Sequence, residues 1–344
     1  MIIDSIKISP YQINFKKEYS NSKFSIDFRK GWILQLGVGD IVGYGDASPL
    51  DNFSFDSYSQ AGYGLEGFKL SMKNIGKVDF EELFELAKAH GESQPSVQCC
   101  IESAIFDLAS KLNKLPLSKY LNDSALSTIR CNLYDNNIDK PFKGMIVKLK
   151  IKSTNVFDEL ERINHIIEKF NGMARLRLDF NGAYDLPKAI RFCKMIENKN
   201  IDYIEQPLPP ENFEDMYELS LHTDIPIAAD EMLTDISSAH KILENQSASV
   251  FILKPMIIGG YEDIKEIISL AKSESIRFNI SSLLESNIGR SYYLHLCAAL
   301  EIEDECGIAT NIFFKSDLCD FPSLKNGKLN IDNSFGIGIN EINL

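Results

Sequence analysis

Five short apolar runs between residues 145 and 255 each end on a charged side chain. The runs are MIVKLKI, LRLDFNG, DYIEQP, PIAADE and VFILKP. Their charges are Lys148 and Lys150, then Asp179, Glu205 and Asp230, then Lys254. Counted from Lys150, the gaps are 29, 26, 25 and 24 residues. Each gap is about the length of one strand-plus-helix unit. Cations, three anions and a cation at that spacing predict a ring of charge around one mouth of a barrel.

The rest of the chain fits such a reading. From about residue 127, strand-like runs alternate with helix-like stretches: STIRCNLY, GMIVKLKI, ARLRLDF, DYIEQP, PIAAD, SVFILKP, RFNISSLL and CGIATNIF. Eight strands with intervening helices indicate an α/β barrel. Only DNNIDKPFK separates the first two runs, too short for a full helix with its loops. Residues 1–122 differ, with strand-like runs to about 50 and helical periodicity from 55 to 122, which predicts an α+β domain. The barrel is expected over 123–315. The tail, 316–344, reads as irregular chain and short strands returning to the first domain.

Gly62, Gly64 and Gly67 spell G-x-G-x-x-G. No strand precedes them, so they are expected to be small residues in a helix and not a dinucleotide loop.

Composition excludes some partners. The net charge of −13 argues against a nucleic-acid surface, which rests on clustered Lys and Arg. It allows a small anionic carboxylate substrate, which needs only a local positive site. The seven cysteines are odd in number and form no C-x-x-C, so buried thiols in a reducing compartment are expected. No apolar stretch approaches the roughly 18 residues of a membrane span. The start, MIIDSIKISPY, lacks the basic and apolar regions of a signal peptide. The expected location is the cytoplasm, and oligomeric state is not legible.

Residues i and i+2 of a strand share a face. Lys148 and Lys150 therefore point together into the barrel, as do Arg177, Asp179 and Asn181. Three converging carboxylates would raise one another's pKa. A divalent cation resolves this, and an all-oxygen donor set favours Mg²⁺, with Mn²⁺ as a substitute. Such a site can stabilise the enediolate formed when a proton leaves the carbon beside a carboxylate. The proton needs a base. A lysine is brought to about 7–8 for that task, a shift from its usual value of about 4 kcal/mol. Lys148 is placed to help lower Lys150, and Lys254 approaches from across the mouth as a second acid/base or a fixed cation.

These residues resemble the enolase superfamily, in the branch related to muconate-lactonising enzymes. The resemblance covers nearly the whole chain and implies a modified (β/α)7β TIM-like barrel under an N-terminal α+β capping domain. It implies Lys150 as base, Asp179, Glu205 and Asp230 as metal ligands, and Lys254 across the site. FILKPMIIGG, ISSLLESNIGR, GIATNIF, and FRKGWILQL with VGYGDASPL are similar to motifs of o-succinylbenzoate synthases. That implies a lyase making o-succinylbenzoate by syn dehydration on the way to menaquinone. Ser281, Ser282 and Arg177 are candidates near or behind the substrate. The same scaffold also carries N-succinylamino acid racemases and dipeptide epimerases. The epimerases have an Asp-x-Asp after the eighth strand that GIATNIF lacks. A non-catalytic homologue would be expected to lose one of the five residues, and all five are present.

Overall fold

The structure is a computed structural model, and it describes residues 3–20, 24–51, 53–73, 78–135, 138, 140–152 and 155–344. The chain opens with an antiparallel sheet of β1 (Ser5–Ser20), β2 (Ser25–Val38) and β3 (Ile41–Ala47). The tip of the first hairpin, 21–23, lies outside the described residues. Three helices follow: α1 (Tyr58–Met72), α2 (Phe80–Gly91) and α3 (Pro95–Leu112). Capping boxes start the first two, Ser57 with Gln60 and Asp79 with Glu82, each satisfying two otherwise orphaned backbone donors. Leu34, Leu36, Leu65, Phe68, Leu83, Ile101 and Leu108 form the apolar layer between sheet and helices.

This cap depends on close approach. A Cβ at Gly43 would lie 2.2 Å from the carbonyl oxygen of Ala104, and one at Gly45 1.9 Å from that of Cys100. Only glycine lets β3 lie this near α3. The G-x-G-x-x-G residues serve packing as well. Gly62 sits inside α1 against the Trp32 ring, 2.7 Å from where its Cβ would be.

After α4 (Leu117–Leu121) the run STIRCNLY divides between two sheets. Its first part is β4 (Thr128–Arg130), and its second is β5 (Leu133–Tyr134). The parallel sheet continues through β6 (Met145–Lys150), β7 (Ala174–Asp179), β8 (Ile201–Glu205), β9 (Ile227–Ala229), β10 (Val250–Leu253) and β11 (Arg277–Ile280). The expected eighth strand, CGIATNIF, is reduced to two residues. Cys306 bridges Cys131 and Gly307 bridges Ser281, closing the ring. Thr310–Phe313 then turn into a 3₁₀ helix. No helix joins β5 to β6 among the described residues, while 136, 137 and 139 of that link lie outside them.

The outer helices are α5 (Val156–Lys169), α6 (Leu186–Ile196), α7 (Phe213–Ser220), α8 (Ile236–Glu244), α9 (Pro255–Ile258), α10 (Tyr261–Ser273) and α11 (Asn287–Ala299). Asn155, Asp185, Asp235 and Ser286 cap four of them with side-chain oxygens. After the barrel, β12 (Lys328–Asn330) pairs antiparallel with β4. The chain then runs onto the cap: Ile337 N donates to Asp107 (2.8 Å), and Lys111 Nζ donates to the carbonyl of Ile339 (2.6 Å).

All seven cysteines are free thiols, six of them buried. No helix among the described residues is long and apolar enough to cross a membrane.

Candidate active site

Each charged side chain sits where its strand meets the C-terminal mouth. On β6, Val147 and Leu149 face the helices and join the main core, which leaves Lys148 and Lys150 to the interior. Strand register places Lys150 beside Asp179 and Asp179 beside Glu205. Asp230 follows β9, and Lys254 follows β10 as the N-cap residue of α9. Counting the bridged pair Cys306–Gly307 as the eighth position, β6 and β10 lie four apart in the ring. Lys150 and Lys254 therefore face the mouth from opposite sides.

The contacts are ionic and buried. Lys148 Nζ donates to Glu205 Oε1 (2.7 Å) and lies 3.1 Å from Asp179 Oδ2. Lys150 Nζ donates to Asp179 Oδ2 (3.3 Å) and Asn181 Oδ1 (3.0 Å). Lys254 pairs with Asp230. Two cap residues close over the lysines: the Tyr19 ring lies 5.7 Å from Lys150 Nζ, and the Phe53 ring 4.8 Å from Lys254 Nζ. Ser281, Ser282, Leu283, Leu284, Thr310 and Tyr134 complete the pocket wall.

Burial sets the electrostatics. Glu205 is fully buried, and burial with the neighbouring Asp179 pushes its carboxyl up to about 8. Its Oε2 has no hydrogen-bond partner. Asp179 goes the other way: burial opposes ionisation, but Lys148 and Lys150 hold it below the usual carboxylate range. Lys150 departs from expectation. Burial and Lys148 lower its pKa, yet Asp179, Tyr19 and Glu205 together outweigh both and hold it above the ordinary ammonium value.

The three carboxylates expected to hold a cation do not form a closed cage. Among the described residues, no three His, Cys, Asp or Glu side chains are gathered tightly enough to hold a metal. The physical reason is that ammonium groups sit against the carboxylates: Lys148 between Asp179 and Glu205, and Lys254 on Asp230. The residues nonetheless fit a hard divalent cation. All donors are carboxylate oxygens. The buried Glu205 Oε2 also has no hydrogen-bond partner in the protein, which leaves a lone pair for a ligated cation.

Arg177 does not join this group. It shares a face with Asp179, but its guanidinium reaches the opposite end of the barrel. There it donates to Asp202 Oδ2 (2.7 Å) and Asp304 Oδ1 (2.6 Å). Sequence reasoning missed Tyr19, Phe53, Glu231 and Gln206. Glu231 accepts from the Asn181 amide (3.1 Å). The motif letters D-x-N-G, E-Q-P and A-D-E were the available signals for the polar ones.

Residues 143–341 match the family model "Enolase C-terminal domain-like". The o-succinylbenzoate synthase of Thermobifida fusca is 27% identical over 52% of this chain and 55% of its own length. The N-succinylamino acid racemase of Thermus thermophilus is 26% identical over 98% of this chain and 95% of its own. A dipeptide epimerase from Enterococcus faecalis, solved with Mg and a dipeptide, superposes with a TM-score of 0.89 at 19% identity, covering 98% of this chain and 99% of that one. This chain belongs to the enolase superfamily. Within it, the chain falls in the muconate-lactonising branch, among muconate cycloisomerases, o-succinylbenzoate synthases and N-succinylamino acid racemases.

Proposed function

We propose that this enzyme is a divalent-cation-dependent lyase that converts 2-succinyl-6-hydroxy-2,4-cyclohexadiene-1-carboxylate to o-succinylbenzoate, a step towards menaquinone. The observation that carries the reading is the placement of Lys150 and Lys254 on opposite sides of one pocket, above Asp179, Glu205 and Asp230. Asp179, Glu205 and Asp230 would hold Mg²⁺, with Mn²⁺ able to replace it. When bound, the cation supplies positive charge that polarises the substrate carboxylate and neutralises Asp179.

Lys150 takes the proton from the carbon beside that carboxylate. The resulting ammonium then gives the proton to the hydroxyl leaving from the same face, so one water departs and the ring becomes aromatic. Asn181 Oδ1 and Asp179 Oδ2 each accept one Lys150 N–H, which leaves the third direction for the transferred proton. Lys148 balances Asp179 and Glu205. Lys254 keeps its charge facing the developing anion from the far side. The Ser281 and Ser282 hydroxyls on the pocket wall are substrate contacts in this reading. The partner is thus a small anionic carboxylate, handled in the cytoplasm, with no role for nucleic acid.

The purified protein with Mg²⁺ is expected to dehydrate the cyclohexadiene substrate and to stop on chelation. Undiminished turnover by Lys150→Ala would overturn the assignment.

A second reading, N-succinylamino acid racemisation, is favoured by the racemase relative that spans nearly the whole chain. Two lysines facing one carbon suit removal of a proton from one side and return from the other. Exchange of the α-proton of N-succinylamino acids in deuterium oxide, faster than dehydration, would make racemisation the main activity.

A further inference from the structure

Gln206 follows Glu205 at the end of β8, and its side chain is fully buried. Its backbone is left-handed, with φ +39°, a conformation that residues other than glycine adopt only when their surroundings impose it. Every polar group it carries is engaged. Its backbone N donates to the Ala228 carbonyl (2.9 Å), and its own carbonyl accepts from Gly182 N (2.7 Å). The side-chain Oε1 accepts from Asp230 N (3.1 Å) and Met232 N (3.2 Å), while Nε2 donates to the Leu208 carbonyl (2.9 Å).

These bonds reach three turns. Gly182 belongs to the turn after Asp179. Gln206 itself is the turn after Glu205. The Asp230 and Met232 amides belong to the turn after β9. One residue is thus hydrogen-bonded into all three segments that present a carboxylate to the mouth. The left-handed backbone swings its side chain under the third turn, where the amide oxygen fixes the two N–H groups flanking Glu231.

We propose that Gln206 is the positioning residue of the cation site. It holds Asp230 at a set distance from Glu205 and Asp179, so that the three carboxylates act as one set of ligands. This rests on the reading of those carboxylates as metal ligands. The decisive group is the Oε1 acceptor. An amide oxygen can accept two N–H bonds without adding charge beside three anions, and a methylene or thioether in its place leaves both donors buried and unpaired.

The test is the affinity of the whole purified chain for Mn²⁺ alone, read from the free-ion electron paramagnetic resonance signal in the absence of substrate. Gln206→Met keeps the length of the side chain and removes the acceptor. It is expected to weaken Mn²⁺ binding by about 10- to 100-fold, the usual effect of losing a group that orients a ligand. Gln206→Asn, which keeps the amide but falls short of the two N–H groups, is expected to weaken it in the same direction and serves where the methionine variant does not fold. Asp202→Asn, at the other end of the barrel, is expected to lower stability and leave Mn²⁺ affinity unchanged. That pairing separates positioning from general loosening. Wild-type affinity in folded Gln206→Met or Gln206→Asn overturns the proposal while leaving the metal site standing. Equal weakening by Asp202→Asn also overturns it. Failure of the wild-type chain to bind Mn²⁺ overturns the metal-site reading itself.

Discussion

At the N-terminal end of the barrel, Asp202 receives Arg175 (3.1 Å), Arg177 (2.7 Å) and Arg277 (3.2 Å), and Asp304 receives Arg177 and Arg277. At the C-terminal end, Asp179, Glu205 and Asp230 receive Lys148, Lys150 and Lys254. Both ends bury charge, yet they use different cations. Guanidinium stays protonated at any ordinary pH and holds carboxylates through fixed forks. Arg177 is accordingly raised above even its usual value by Tyr203, Asp304 and Asp202, although its burial acts against this. Lysine is a point charge that can give up its proton and move on a flexible stem. The arginine end is built to stay as it is, and the lysine end carries an unpartnered carboxylate oxygen on Glu205.

The largest expected effect falls on the lysine end. Lys150→Ala should cut turnover by about 10³-fold, within the range for loss of a general base, with the unfolding midpoint little changed. Dehydration kinetics and a urea titration on one preparation check both halves. If activity survives, the contrast between the two ends loses its chemical meaning.

Asp202→Asn should do the reverse. It leaves three guanidinium groups without their shared carboxylate and should lower stability by about 3 kcal/mol, while kcat of the folded fraction holds. Loss of kcat with stability intact would show that the arginine end reaches the chemistry.

One part of the acid response should come from neither end. His295 on α11 is buried, and burial pushes its pKa down to about 4. It accepts from Ser118 N (3.2 Å) as a neutral ring. In the unfolded chain a histidine titrates near 6.5. Between pH 6.5 and 4 the unfolded state therefore takes up a proton that the fold refuses. The His295 contribution to stability should fall across that window as pH drops, by about 3 kcal/mol. That contribution should be absent in His295→Gln, so the difference in stability between the two proteins should change across the window.

Ser282→Ala is the smallest change. Ser282 Oγ lies 2.8 Å from Thr310 Oγ1 and accepts from Leu284 N (2.9 Å). Its loss should raise KM about five-fold, the equivalent of one hydrogen bond of about 1 kcal/mol, with kcat nearly unchanged.

The contrast between the ends also explains what was legible in the sequence. The lysines and carboxylates could be read because each closes an apolar run at βα spacing. Arg177 was read into the same end because period two shows which face a residue takes and says nothing of which way a long side chain runs. Its direction is set by Asp202 and Asp304, which are 25 and 127 residues away. The eighth strand was over-read for a similar reason. GIATNIF is apolar enough to extend, but only Cys306 and Gly307 have strand partners. STIRCNLY looked like one strand although β12, far along the chain, claims its first half. Gln206 went unremarked because its role lies in tertiary hydrogen bonds that no periodicity encodes.

The two-residue closure of the ring gives the barrel a seam. Four backbone bonds hold it: Cys306 N to Arg130 O, Asn132 N to Cys306 O, Gly307 N to Ile280 O and Ser282 N to Gly307 O. The β6–β7 pair, by contrast, is in register over six residues. Breathing of the barrel should begin at the seam, and amide exchange at Asn132, Ser282, Cys306 and Gly307 should outpace that along β6 and β7. The seam borders Ser281 on the pocket wall and none of the three carboxylates. A barrel that opens there parts its wall for a bulky ring while its charged floor stays assembled.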